Sequence, residues 1–132
     1  MSHPNLRLQR AYDHPGKDDG YRVLVDRVWP RGRTKDQLRL DAWARRLGPS
    51  MELWRWFGHD LARWPEFEAR YQIELAGDDR ADALDDLADA ASRGPLTLVF
   101  QARDREHNQA RVIAAELEHR LDDSQWLRPP GS

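Results

Sequence analysis

A short, nearly continuous apolar run constrains the fold of this chain more than any other feature. Residues 21–25 read Tyr-Arg-Val-Leu-Val, so that Val23, Leu24 and Val25 are consecutive. A strand covered on both faces is continuously apolar, whereas a strand with one wet face alternates. Residues 96–100 (Leu-Thr-Leu-Val-Phe) have the same character. We therefore predict two buried strands, at 21–27 and 96–100. Because helical segments connect them, we expect the two strands to be adjacent and parallel.

The remaining chain predicts a small α/β domain. Residues 6–9 alternate like a short strand. The loop at 13–20 is too short for a parallel crossover, so the first two strands form a hairpin or are not neighbours. Apolar spacing predicts helices over residues 40–47, 51–57, 64–76 and 80–93, the last capped by Asp79, and a final helix that ends near Leu121. The predicted fold is three-layer-like, with a short, mainly parallel sheet and helices packed on it. We predict one domain over 1–123 and a loose tail over 124–132, in which Trp126 is a possible docking residue.

Composition excludes several classes of function. The chain of 132 residues has no cysteine, which excludes thiolate catalysis, disulfides, cysteine-ligated zinc and iron–sulfur clusters. No apolar run approaches the roughly 20 residues of a membrane span, and the N-terminus lacks an apolar signal-peptide core. Glycine-rich phosphate loops, dinucleotide fingerprints, zinc-protease motifs and nucleophile elbows are absent from the sequence. We expect a cytoplasmic protein with no membrane partner, no cofactor and no metal.

Charge is distributed unevenly along the chain. The net charge is −2, which argues against a globally basic nucleic-acid binder. Residues 27–46 nevertheless carry seven basic and two acidic side chains, and residues 78–89 carry six aspartates and one arginine. This pattern predicts a basic face and an acidic face.

Two loops follow the buried strands and contain the candidate site. Ligands of open α/β sheets bind at the carboxyl ends of the strands, and a helix N-terminus attracts anions. If the strands are adjacent and parallel, the loops at 29–35 and 101–108 face each other. The candidate ligand-binding residues are Arg27, Trp29, Arg31, Arg33, Arg103 and Asn108. We also expect Arg27 or Arg31 to be buried near His107 and paired with Asp26 or Glu74.

Most of these residues have two interpretations. Asp26 is a candidate general base, or one half of an ion pair with Arg27. Trp29 stacks on a ligand or fills the core. His107 is the best candidate acid or base, and Asn108 orients it or caps the last helix. A metal site at His59-Asp60 lacks a third ligand at a known spacing, and Ser50 fits a helix cap better than a nucleophile.

The same residues resemble the YeaO-like family of uncharacterised bacterial proteins, domain of unknown function 488. The resemblance is carried by residues 19–32, which contain Asp-Arg-Val-Trp-Pro-Arg-Gly, by Pro49-Ser50-Met51-Glu52-Leu53, and by His107-Asn108-Gln109-Ala110. It implies an α/β domain with a site on the two loops, and it implies no established activity. Broader relatives are similar to proteins with a Cys-His-Arg signature after the last strand. Because this chain has no cysteine, a thiol-dependent function does not transfer from them.

Three functions remain open. The first is binding of a small anionic ligand, phosphorylated or carboxylated, in a basic, Trp-lined pocket. The second is a nucleic-acid-binding module that uses the basic segment and exposed tryptophans. The third is a protein–protein adaptor anchored by tryptophans. Burial of Trp29, Trp54 and Trp56 discriminates between them, because an exposed row of rings favours the second and third.

Overall fold

A sheet of four parallel strands forms the centre of the molecule. The computed structural model describes residues 3–127, with side chains to Asp122. The strands are β1 (Leu6–Arg10), β2 (Tyr21–Leu24), β3 (Ala42–Trp43) and β4 (Leu96–Phe100), in the order β1-β4-β2-β3. Val23 of β2 and Leu8 of β1 both lie opposite Leu98 of β4. The predicted adjacency and parallel pairing of the two buried strands is confirmed. The first two strands are not neighbours, because β4 lies between them.

Over residues 3–127, five helices accompany the sheet. They are α1 (Lys35–Leu38), α2 (Met51–Phe57), α3 (Trp64–Leu75), α4 (Asp78–Arg93) and α5 (Gln109–Leu127), with 3₁₀ turns at Arg45–Leu47 and Leu61–Arg63. The Ser50 hydroxyl accepts a hydrogen bond from the Leu53 N–H at 3.2 Å and begins α2. Gly58 ends that helix with φ of +54°, a conformation that favours glycine.

The predicted helix over 40–47 is wrong. Ala42 and Trp43 form edge strand β3, where the Ala44 N–H donates to the Leu24 carbonyl at 2.8 Å. The apolar residues of this segment have the spacing of a helix, but they pack on two different faces of the sheet. Leu40 and Trp43 pack on one face, and Leu47 is buried on the other. These residues therefore do not form the single apolar face of a helix.

The predicted cap at Asp79 is also wrong. Helix α4 begins at Asp78 after Gly77, and no side chain caps it. Asp79 instead lies in the first turn, where its negative charge is favourable beside the positive end of the helix dipole.

Strand residues alternate between two hydrophobic clusters. Val23, Val25, Leu98 and Phe100 face the main core, which α2, α3, α4 and α5 complete. On the opposite face lies a smaller cluster of buried residues, namely Ala11, Leu24, Leu38 and Val99. Burial on both faces explains the continuous apolar runs.

Helix α5 continues to Leu127, so it includes the first residues of the segment predicted as a tail. The side chain of Trp126 and residues 128–132 lie outside the described part of the chain. Within that part, no helix is both long and apolar enough to cross a membrane.

Candidate functional site

A cavity of about 620 Å³ opens at the carboxyl edge of the sheet. Its wall comes from the segment after β2, from α2 with its flanking residues, and from the loop that joins β4 to α5. The lining residues are Asp26, Arg27, Val28, Pro49, Met51, Trp54, His59, Gln101, Ala102, Arg103, Asp104, His107 and Gln109. A volume of this size accommodates a small molecule. We call it the edge cavity.

Asp26 is a buried carboxyl group in the edge cavity. Its side chain is 5% exposed, and Oδ2 accepts a hydrogen bond from the Gln101 N–H at 2.8 Å. Oδ1 is buried and has no hydrogen-bond partner in the described structure. Burial raises the pKa of Asp26 from 3.8 to about 7, and hydrogen bonding to Gln101 only partly opposes this shift. A carboxyl group poised near neutrality is a common property of functional sites.

Arg27 connects two walls of the edge cavity. The side chain is half-buried, and its Nε donates to the Pro49 carbonyl at 2.6 Å. Close approach of the two segments requires Gly48, because a Cβ there would lie 2.7 Å from Cγ of Arg27. The expected ion pairing of Arg27 or Arg31 with Asp26 or Glu74 is wrong: within the described residues, neither arginine has an ion-pair partner, and Glu74 lies 3.8 Å from Arg80 instead.

Glu74 instead holds the Ser50 end of α2. Its carboxylate accepts hydrogen bonds from the Ser50 N–H at 2.9 Å and from the Ser50 hydroxyl at 2.5 Å. The Ser50 hydroxyl thus serves as a helix cap rather than a nucleophile. This anchoring fixes Pro49 and Met51, which line the edge cavity.

Asp104 orients His107 from two directions. One carboxylate oxygen of Asp104 accepts the backbone N–H groups of Glu106 and His107, each at 2.9 Å. The other oxygen lies 3.0 Å from Nδ1 of His107. The backbone hydrogen bonds lower the pKa of Asp104. The imidazole also meets Trp64 edge-on, with ring centres 5.3 Å apart. In a neutral imidazole whose Nδ1 donates to Asp104, Nε2 is an acceptor, whereas in the protonated ring Nε2 is a second donor.

Asn108, which precedes α5, and Gln109, its first residue, are both buried. Asn108 donates from Nδ2 to the Asp104 carbonyl at 2.9 Å, and its Oδ1 accepts from the Arg111 N–H at 3.2 Å. Of its two interpretations, this geometry is that of the helix cap. Gln109 is 5% exposed and lines the edge cavity, and its Oε1 is buried without a partner among the described residues.

Of the predicted site residues, Asp26, Arg27, Arg103 and His107 line the edge cavity. Arg103 is exposed, which places a guanidinium at the solvent side of the cavity. The structure does not bring the other candidate arginines or Trp29 to the same place.

Three candidate residues of the first loop lie outside the edge cavity, namely Trp29, Arg31 and Arg33. The Trp29 ring meets Trp43 edge-on at 5.3 Å and lines a smaller cavity of about 310 Å³. The Arg33 guanidinium lies 5.1 Å from the ring centre of Tyr12. Arg31 is exposed, and its carbonyl accepts a hydrogen bond from the Tyr12 hydroxyl at 3.1 Å. The expected convergence of the two loops therefore brings only two of the candidate arginines, Arg27 and Arg103, to the edge cavity.

Sequence reasoning missed several lining residues. Met51 and Trp54 come from a helix whose position against the sheet edge no local pattern reveals. Gln101 follows β4 directly, and its side chain also donates to the Val28 carbonyl at 2.5 Å; the strand-end rule that selected Arg103 applies to it equally. His59 contacts Trp54, with ring centres 5.1 Å apart. In the described structure, no cluster of three ligating side chains forms a metal site around it.

Comparisons with known proteins agree on one family. The model of the family described as "Inactive DUF488-N3 subclade" matches residues 5–132. The uncharacterized protein YeaO of Escherichia coli (strain K12) is 40% identical over 110 residues, which is 83% of this chain and 94% of YeaO. The uncharacterized protein Rv3073c of Mycobacterium tuberculosis (strain H37Rv) is 41% identical over 115 residues, 87% of this chain and 95% of that protein. No solved structure gives a significant match. The matched family covers both loops of the edge cavity, and the chain belongs to this YeaO-like DUF488 family.

Proposed function

We propose that this protein binds a small anionic ligand, phosphorylated or carboxylated, in the edge cavity. One observation carries the proposal: Arg27, Arg103 and His107 line a single cavity of about 620 Å³ at the carboxyl edge of a parallel sheet. Arginine presents several N–H donors in a geometry that matches phosphate and carboxylate groups. Met51 and Trp54 supply an apolar wall, which suits the uncharged part of a metabolite.

The family description supports binding without turnover. The word "inactive" is applied to the subclade that matches this chain, and we therefore assign Asp26 and His107 to ligand contact. Their geometry, a buried carboxyl group and an imidazole oriented by Asp104, suits the recognition of polar groups as well as proton transfer.

Burial of the tryptophans favours the cavity over the two alternatives. Trp29, Trp54 and Trp56 are each half-buried. The Trp56 ring is covered by Arg63 and Arg70, whose guanidiniums lie 5.3 and 4.5 Å from its centre. An exposed row of rings, which a nucleic-acid module or an adaptor needs, does not form among the side chains described. A cytoplasmic location stays a prediction.

Thermal melts with added anions test the proposal. A ligand that binds only the folded state stabilises it by about 2.7 kcal/mol at a concentration one hundred times its Kd. We expect inorganic phosphate or phenyl phosphate to raise the melting temperature of the wild-type protein. Arg103→Ala should lose most of this rise.

Arg31→Ala is the matched control, because Arg31 is also an exposed loop arginine but lies outside the edge cavity. It should keep the full anion-dependent rise. The proposal fails if no anion raises the melting temperature, or if the two variants respond alike.

A further inference from the structure

Two buried oxygen atoms of the edge cavity lack hydrogen-bond partners. We propose that the ligand carries N–H or O–H donors at the end opposite its anionic group, and that these donate to Asp26 Oδ1 and Gln109 Oε1. This inference rests on the proposed function and specifies which anionic compounds the cavity selects.

The two oxygens are exceptional within the described structure. Asp26 and Gln109 are each 5% exposed, and each has one side-chain oxygen that is buried without a partner. Most buried polar atoms of native proteins are hydrogen-bonded, and an unsatisfied acceptor is unfavourable because its lost hydration is not replaced. Both residues line the same cavity. A ligand that supplies two donors would satisfy both acceptors at once.

The second oxygen of Asp26 is already engaged. Oδ2 accepts from the Gln101 N–H at 2.8 Å, and Gln101 is held in turn by its side-chain bond to the Val28 carbonyl. The carboxyl group is therefore fixed in place before a ligand arrives. A preorganised acceptor loses little side-chain freedom on binding.

The positions of the acceptors and of the arginine in the edge cavity predict the orientation of the bound ligand. The acceptors of Asp26 and Gln109 are buried, whereas Arg103 is an exposed residue of the cavity wall. The anionic group therefore lies towards solvent and the donors point inward. Trp54 and Met51 line the same cavity and supply apolar surface for the uncharged part of the ligand.

Two sources share this chemistry. Nucleoside monophosphates carry N–H donors on the base, and sugar phosphates carry O–H donors. Phenyl phosphate has an anionic group and an apolar ring but no donor on that ring, so it is the donor-free reference.

Calorimetric titration compares guanosine 5′-monophosphate, ribose 5-phosphate and phenyl phosphate. We expect at least one donor-bearing compound to bind about tenfold or more tightly than phenyl phosphate, since each added hydrogen bond contributes a severalfold gain in affinity. The preferred compound identifies N–H or O–H donors as the recognised group.

Two variants test the role of the acceptors. In Asp26→Asn the amide oxygen keeps the bond from Gln101, and the amide N–H₂ replaces the free acceptor. Gln109→Met keeps the length of the side chain and removes its acceptor. Each should lose most of the preference for the donor-bearing compound over phenyl phosphate. Gln72→Met, at an exposed position of α3 outside the edge cavity, should change neither affinity.

The outcomes separate the two proposals. If none of the three phosphates binds, this inference fails; if, in addition, no anion raises the melting temperature, the proposed function is wrong as well. If phenyl phosphate binds as tightly as the other two, or if both variants keep the wild-type preference, the inference is overturned while anion binding stands. Should one variant fail to fold, the other variant and the wild-type preference still decide.

Discussion

The backbone N–H of Gln101 donates a 2.8 Å hydrogen bond to Oδ2 of Asp26, and this bond joins the ends of two neighbouring strands. Gln101 follows β4 and Asp26 lies just beyond β2. The carbonyl of Asp26 also accepts a hydrogen bond from Nε1 of Trp43 on β3, at 2.6 Å. Three strands thus fix one residue of the edge cavity. A carboxyl group held in this way stays buried although its charge is unfavourable there.

The first prediction concerns the pH dependence of stability. Burial raises the pKa of Asp26 from 3.8 to about 7, so the folded state binds more protons than the unfolded state between these values. The free energy of unfolding therefore falls as pH rises from about 4 to 7. A shift of this size corresponds to about 4 kcal/mol lost above pH 7. Asp26→Asn removes the charge and should raise the melting temperature near pH 8.

Thermal melts near pH 5 and pH 8 check this prediction. Near pH 5 the Asp26 carboxyl is already neutral in the folded protein, so the variant should gain much less there. Asp36→Asn, at an exposed position of α1, should show no such difference between the two conditions. An equal effect of Asp26→Asn at both pH values would mean that the carboxyl group titrates normally.

Gly48 supplies the second prediction. A methyl group at this position would lie 2.7 Å from Cγ and 3.0 Å from the backbone nitrogen of Arg27. Neither atom is the free end of a flexible side chain, so the loop itself must move. Gly48→Ala should lower the free energy of unfolding by roughly 1–3 kcal/mol and weaken phosphate binding, because the bond from Arg27 to Pro49 is displaced.

Denaturant unfolding with and without phosphate measures both effects. Gly94→Ala is a suitable control, since an added Cβ there meets nothing within 4 Å and the backbone is extended. If Gly48→Ala has the same free energy of unfolding as the wild-type protein, the two segments have room to separate and the prediction is wrong.

The sequence predicts the strands better than the complete site. Val23 to Val25 and β4 were identifiable because burial on both faces leaves a continuous apolar pattern. Asp26 was identifiable because it lies near the end of such a predicted strand, and Arg103 because it lies in the loop after one. Gln109 was not, since its part in the edge cavity depends on how the first turn of α5 packs against the sheet edge. Such packing is set by contacts distant in sequence, which no local spacing encodes.

A third prediction is that duplex DNA binds only weakly. The net charge is −2, and several guanidiniums of the basic segment are already engaged. The Arg33 guanidinium donates to the Tyr12 carbonyl at 3.2 Å, and the Arg45 guanidinium lies 4.1 Å from the ring centre of Trp43. Neutralising many phosphates at once is what gives DNA binders a steep dependence on salt. Fluorescence anisotropy with a labelled duplex should give no nanomolar affinity at physiological salt. Tight binding that weakens steeply with salt would instead support the nucleic-acid module.

The last prediction separates the two faces of the sheet. The sequence selects Trp29 as a ligand contact, whereas the structure packs its ring against Trp43 and the smaller hydrophobic cluster. Nε1 of Trp29 donates to the Arg33 carbonyl at 2.7 Å, which closes the loop on itself. Trp29→Ala should therefore lower the free energy of unfolding by about 3 kcal/mol through lost packing.

The Kd of Trp29→Ala for phenyl phosphate should stay within about twofold of the wild-type value, a change in binding free energy below roughly 0.5 kcal/mol. Trp54→Ala is the counterpart on the edge cavity. Because Trp54 both packs on the main core and lines that cavity, this variant should lose stability and affinity together. Calorimetric titration of both folded variants makes the comparison. If Trp29→Ala weakens binding as much as Trp54→Ala does, the ligand lies against the Trp29 loop, and the smaller cavity is the binding site.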